Sequence, residues 1–210
     1  MVVGLGQSLA RDGHIGDAGN GQHPQAGGTR DRRLTGAFHT VEDNIAAVCA
    51  TLRLTPREGH IVKAAHINEA YIRDLLSHWK EDALPTVREI KKRGMRLGLL
   101  SDCYSTTANL WGEGPLAPHF DAAVFSCKAG ACKPDARLFT MVAERLRVEP
   151  AQCLYVGDGG GDELTGAAAC GMTTILVVND RRDPHLKDSP SLACPRTVRR
   201  LSEVLVFVES

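Results

Sequence analysis

Little in this chain marks a macromolecular partner or a special compartment. Aromatic residues make up only 5% of its 210 residues, and 25 basic side chains balance 25 acidic ones. A surface without excess charge does not select nucleic acid or an anionic membrane, both of which draw a basic face, so neither is an expected partner. No apolar run approaches the length of a membrane span. The amino terminus lacks the basic region and apolar stretch of a secretory signal. Seven cysteines stand at 49, 103, 127, 132, 153, 170 and 194, and no two form a Cys-x-x-Cys pair. An odd, scattered set excludes a disulfide scaffold or structural zinc as the expectation and fits a reducing, cytoplasmic setting. Oligomeric state has no signature. A hydrophobic fraction of 43% is present, enough for a core of ordinary size.

Residues 10–33 are Gly-rich, polar and almost free of large apolar side chains. Such a stretch cannot bury enough surface to offset its ordering entropy, so it is expected to be flexible. Helical signals follow. Thr40 is placed to cap a helix over 41–52, with Val41, Ile45, Val48 and Leu52 on one face. Thr55-Pro56-Arg57-Glu58 has the form of a capping box with proline at the first helical position. The helix behind it is expected to reach Trp79, with Ile61, Ala64, Ala65, Tyr71, Ile72, Leu75 and Trp79 inward. From Pro85 onward helix and strand patterns alternate, with strands expected at 96–101, 122–126, 153–157 and 174–178. Helices are expected at 85–93, 106–111, 135–147, 164–170 and 197–208. That alternation predicts an α/β fold, a three-layer Rossmann-like core with a parallel sheet, plus a small helical cap. The expected division is a flexible or degenerate segment 1–34, a cap 35–84 and the core 85–210.

Three expected strand ends carry polar chemistry. Leu99-Leu100-Ser101-Asp102 closes one strand. Lys133-Pro134-Asp135 lies between a strand and a helix. Leu154-Tyr155-Val156-Gly157-Asp158 runs into Gly159-Gly160-Gly161-Asp162-Glu163. Each alone reads more readily as a turn or helix cap. Together, at the carboxyl edge of a parallel sheet where such folds bind ligands, they form a site for a phosphoryl group and its metal. Ser101 would donate to a phosphate oxygen and Lys133 would neutralise charge. Asp158 and Asp162, four residues apart around a bare Gly turn, suit Mg²⁺.

These three segments resemble the second, third and fourth signature segments of the haloacid-dehalogenase-like (HAD) hydrolases over roughly residues 35–210. The resemblance implies that Ser101 holds the phosphate and that Lys133 stabilises nucleophile and phosphoryl group. It implies Mg²⁺ at Asp158 with Asp162 in support, and the family's helical cap at 40–80. Asp102 stands where asparagine often follows the hydroxyl, and is included with Ser101 and Lys133 in the phosphate-binding set. His60, His66 and His78 are expected to be solvated or satisfied, and His119 and Phe120 to pack. Cys103 is either a reactive thiol beside the site or an inert buried one.

One segment is lacking. The family's first strand ends in Asp-x-Asp-Gly-Thr, whose first Asp is the nucleophile and whose second is the general acid and base. No Asp-x-Asp occurs before residue 100. Laid on that pattern, Gly4 and Gly6 fall on the two aspartates and Ser8 on the threonine; the other reading is coincidence in a short Gly-rich stretch. Either way, glycine can neither attack phosphorus nor bind metal, and Mg²⁺ binding is expected to be weakened. The expected function is a Mg²⁺-dependent phosphohydrolase lineage acting on a small phosphorylated metabolite, impaired for want of its nucleophile. A non-catalytic anion- or metal-binding pseudoenzyme and a 2-haloacid dehalogenase are the alternatives.

Overall fold

A computed structural model describes residues 2–5, 26–57, 59–178 and 196–208. Six strands form one sheet: β1 Val2–Leu5, β2 Arg96–Ser101, β3 Ala122–Phe125, β4 Cys153–Gly157, β5 Thr173–Val177 and β6 Thr197–Val198. All pairings are parallel, in the order β3-β2-β1-β4-β5-β6. The short β1 thus fills the centre, between the strands that deliver Ser101 and Asp158. Its pairing satisfies the backbone groups that β2 and β4 would otherwise leave buried and unbonded.

Strand side chains alternate between two apolar layers. Leu97, Leu99, Leu154, Val156, Ile175 and Val177 meet Val87 and Ile90 of a helix α4 (Ala83–Lys92) and Leu201 and Val204 of a 3₁₀ segment at Leu201–Phe207. On the other face, Leu100, Val124 and Tyr155 meet Leu138, Phe139, Val142 and Leu146 of Ala136–Leu146, and Leu164 and Ala167 of Glu163–Ala169. The result is the expected three-layer α/β architecture. The few aromatics concentrate near one end: Trp111 packs edge-on against Phe120 (5.5 Å between centroids) and Trp79 (6.0 Å).

The helical part consists of α1 Ala26–Leu34, α2 Val41–Thr51 and α3 His60–Ser77, ahead of α4. Thr40 caps α2 as expected, its side chain accepting from the Asp43 amide at 3.0 Å. The helices after it, numbered on from α4, are α5 Ser105–Leu110, α6 Ser126–Ala129, α7 Ala136–Leu146 and α8 Glu163–Ala169. Asp135 caps α7 through the Arg137 amide at 2.9 Å.

Several expectations are corrected. Residues 26–33 of the stretch read as flexible are helical, because α1 finds partners that its own composition does not announce. Leu34 is buried, the Arg33 guanidinium lies 3.8 Å from the Tyr104 ring centroid, and Arg33 Nε donates to Asn44 Oδ1 at 3.1 Å. The remainder of that stretch up to residue 25, with Gly6 and Ser8, lies outside the described residues. On α2, Asn44 is buried and Leu52 exposed, since Asn44 bonds Ser105 Oγ of α5 at 2.9 Å. The capping box at Thr55 does not start α3: Gly59 sits at φ +78, outside the helical region, so the helix can begin only at His60. Glu58 lies outside the described residues. Leu76, not Tyr71, is the buried side chain near the end of α3. The expected carboxyl-terminal helix is instead β6 followed by the 3₁₀ segment. The β-branched pair Thr197-Val198 extends the sheet beside β5, and Arg93 secures the 3₁₀ end by donating to the Leu205 and Val208 carbonyls at 2.8 and 2.7 Å. His60, His66 and His78 are exposed, as expected, and His78 Nδ1 lies 2.8 Å from the Asp74 carbonyl oxygen.

Helix α8 comes so close to the loop carrying Lys133 that residue 166 has to be glycine. A Cβ there would lie 2.8 Å from Phe139 Cε2 and from Pro134 Cβ, and 2.9 Å from the Pro134 carbonyl oxygen. Overpacking of this kind costs about 1–3 kcal/mol. Gly166→Ala is expected to lower the urea midpoint accordingly, whereas an unchanged midpoint contradicts the close contact.

Candidate active site

The site is assembled at the carboxyl ends of β2 and β4. Ser101 ends β2 and is buried. Asp102 follows, and both of its carboxylate oxygens lie 3.2 Å from the Lys133 amide, which donates to them. That contact joins the end of β2 to the loop before α7. The Lys133–Pro134 peptide is cis.

Lys133 turns inward. Its ammonium donates to Glu163 Oε2 at 2.6 Å, with side-chain exposures of only 3% and 0% for the pair. Tyr155 of β4 donates its hydroxyl to the same oxygen at 2.9 Å, and the Gly159 amide donates to Oε1 at 3.2 Å. Glu163 is therefore fully used by three donors from three segments. Gly157 leaves room for it, since a Cβ at that position would overlap the Glu163 carboxyl.

The loop after β4 uses its glycines for conformation. Gly159 and Gly161 take φ of +90 and +60, values natural to glycine. They fold the chain so that the Gly160 amide donates back to Asp158 Oδ1 at 3.1 Å. Asp158 is half-buried, whereas Asp162, at φ +52, is exposed. The buried acid at the base of the loop is Glu163, the residue after Asp162. Its signal lay in helical spacing: Glu163, Gly166 and Ala167 share the buried face of α8. Tyr155 was hidden inside an apolar strand pattern.

Charge is unevenly distributed. Burial acts to lower the Lys133 ammonium, but Glu163, Asp102 and Asp158 outweigh it and hold its pKa above the ordinary lysine value. Burial raises Asp102, partly offset by Lys133. Burial, then the neighbouring Glu163 charge, raises Asp158. Burial and Glu163 likewise push the Tyr155 phenol well up, so it stays protonated and donates. Three carboxylates thus surround one buried ammonium, with Arg30 acting on Asp102 and Lys80 on Asp158 from the helical side.

Gly4 lies within β1, level with Gly98 of β2 and Tyr155 of β4. Ser101 and Asp158 each come three residues further along their strands, roughly 10 Å at the usual strand rise. Ser101, Asp102, Lys133 and Asp158 belong to the segments that meet at this edge. Among the described residues no group of three or more His, Cys, Asp or Glu forms a ready metal cage. Mg²⁺, however, is commonly held by one or two carboxylates plus substrate phosphate and water. A half-buried Asp158 beside the Glu163 carboxylate fits that mode.

Comparison with known proteins agrees with the fold and the family. The profile of the haloacid dehalogenase-like hydrolases matches residues 16–171, and the chain belongs to that family. Haloacid dehalogenase-like hydrolase domain-containing protein 3 of Bos taurus is 35% identical over 116 residues, covering 54% of this chain and 46% of the relative. Phosphoserine phosphatase of Thermus thermophilus is 30% identical over 133 residues, covering 62% and 53%. The chain thus spans about half the length of the curated relatives it matches. Among solved structures, an L-2-haloacid dehalogenase superposes with TM-score 0.64 at 18% identity, covering 100% of this chain and 98% of that one. A HAD-family enzyme of Bacteroides thetaiotaomicron, in complex with magnesium and inorganic phosphate, gives TM-score 0.64 at 14% identity over 89% and 98%. At these identities the likeness is one of fold.

Two outcomes follow from the charge arrangement. Glu163→Ala leaves the Lys133 ammonium buried and unpaired and is expected to cost about 3–5 kcal/mol in chemical denaturation. Lys133→Met with Glu163→Leu is expected to recover most of that loss; a double variant as unstable as the single one contradicts the pairing. Asp158 has a folded-state pKa above its ordinary value, so its ionisation opposes folding, and stability falls as pH rises through the range above 3.8. Asp158→Asn is therefore expected to melt higher than the parent in metal-free buffer at pH 7 and to lose any rise in Tm with added Mg²⁺. A lower metal-free Tm would contradict it.

Proposed function

We infer that this HAD-like hydrolase chain derives from Mg²⁺-dependent phosphohydrolases of small phosphorylated metabolites, and that hydrolysis by the chain itself is strongly impaired. The observation that carries the reading is the meeting of the Ser101, Lys133 and Asp158 segments at one edge of the sheet, on either side of the central strand β1. Relatives named as phosphatases support the phosphate assignment.

In this reading the Ser101 hydroxyl donates to a phosphoryl oxygen. The Lys133 ammonium, held in place by Glu163 and Tyr155, neutralises a second. Asp102 fixes the Lys133 backbone and so sets where that charge sits. Asp158 is the protein ligand of Mg²⁺, with Asp162 supporting from the outer side of the loop; the ion would supply charge neutralisation to the bound phosphate. The attacking carboxylate and the acid–base partner have no counterpart at Gly4 and Gly6. Loss of principal groups that act as a unit commonly costs roughly 10⁴ in rate. Dehalogenation of a 2-haloacid is the competing chemistry; retention of Asp158 and Asp162 favours phosphate.

The test restores the acids. With p-nitrophenyl phosphate and Mg²⁺, the parent chain is expected to stay near background. Gly4→Asp combined with Gly6→Asp is expected to raise turnover by about 10² or more, toward the roughly 10⁴ forfeited. Adding Lys133→Ala should abolish the gain. Robust turnover by the parent that Lys133→Ala removes, or a folded double variant no faster than the parent, overturns the reading. Release of halide from 2-chloropropionate by the double variant, without phosphate release, would transfer the assignment to dehalogenation.

A further inference from the structure

Beside the anion site lies a second chemical feature that the phosphohydrolase reading does not use. Ser101 of β2 pairs in register with Phe125 of β3. Two residues further on each chain stand Cys103 and Cys127. Neighbouring strands run about 4.8 Å apart, within the Cα separations of roughly 4.4–6.8 Å that a disulfide spans. The segments stay together past the strand ends because Ser126 Oγ accepts from the Cys103 amide at 3.0 Å and donates to the Cys103 carbonyl at 3.3 Å. Cys103 is buried in the apolar cluster on this face of the sheet, and Cys127 packs against the same cluster.

We propose that Cys103 and Cys127 are a dithiol site that a hydroperoxide converts to a disulfide, clamping the loop after Ser101 to the start of α6. The roles divide by environment. Cys127 is partly exposed, and hydrogen bonding from Cys103, with help from Lys128, holds its thiol below the usual range. Cys103 is buried, and its bond to Cys127 followed by burial holds its thiol well above that range. Cys127 is thus the attacking sulfur and Cys103 the resolving one. The Cys127 thiolate takes the terminal oxygen of the peroxide, becoming a sulfenic acid as the peroxide is reduced to alcohol or water. The Cys103 sulfur then displaces hydroxide from it; the Cys103 proton leaves with that hydroxide as water, and the S–S bond forms. Two electrons pass from the pair to the peroxide, and an added thiol returns them. Cys132, near the same Ser126, is pushed up to about 11, chiefly by burial, and serves as an internal control. Cys103 stands two residues past Ser101, so a clamp on this loop acts on the segment that carries the anion-site hydroxyl. The proposal stands whether or not the chain turns over phosphate esters.

The sequence makes the test clean. No lysine or arginine lies between Arg96 and Lys128, so trypsin releases residues 97–128 as one peptide holding Cys103 and Cys127 and no other cysteine. The full chain is treated with dilute hydrogen peroxide, blocked with N-ethylmaleimide in denaturant, digested and weighed. The expected product is that peptide two hydrogens lighter and unlabelled, while Cys132 remains labelled; dithiothreitol restores two labels. Cys127→Ser, at the partly exposed position, is expected to leave Cys103 fully labelled after peroxide. A peptide doubly labelled after peroxide overturns the proposal. So does a link from it to the peptide carrying Cys132 or to a second chain, or Cys103 being lost equally in Cys127→Ser.

Discussion

The ion pair between Lys133 and Glu163 is the constraint around which the site is built. Two full charges 2.6 Å apart are withdrawn from water, and such a pair is tolerable only if the remaining polar atoms are satisfied. Here they are. Tyr155 and the Gly159 amide complete Glu163, and Asp102 holds the Lys133 backbone. The pair therefore links α8, β4, the Gly loop and the end of β2 in one network. The glycines at 157 and 166 follow from it, one clearing space for the Glu163 carboxyl and the other letting α8 approach Pro134. Remove the pair and neither the loop of Asp158 nor the position of Lys133 is fixed.

The same network explains the balance of charge. Lys133 is already neutralised by Glu163, so Asp102 and Asp158 carry their charges against burial, which raises both. The short strand β1 occupies the middle of the sheet between the strands that deliver Ser101 and Asp158. Fold and chemistry have different requirements there: a four-residue strand satisfies β2 and β4 with its amides and carbonyls, whatever side chains it carries.

Much of this was legible in the residues alone. The strands at 96–101 and 153–157 came from apolar runs bounded by turn signals, and the parallel sheet from their alternation with helices. The cap at Thr40 and the helix after Asp135 rested on local hydrogen bonding, which sequence records well. What escaped depended on distant partners. Helix α1 is weak by composition and is held by Tyr104 and Asn44, far along the chain or on another helix. Thr55 offered a good cap, but Gly59 in the left-handed region overrode it. The carboxyl-terminal segment became β6 because β5 had a free edge to pair with, a tertiary fact. Glu163 escaped because the acids around the Gly turn were read as a loop pattern, whereas the buried face of α8 turns it inward.

The reading proposed for the site is that Asp158 holds a divalent cation and that an anion binds together with it. Titration calorimetry on the intact chain tests it most directly, with inorganic phosphate added in the absence and then in the presence of saturating Mg²⁺. The account predicts no measurable phosphate binding without Mg²⁺ and a saturable isotherm with it, lost in Asp158→Asn. Phosphate binding that is equally tight without the metal would contradict it.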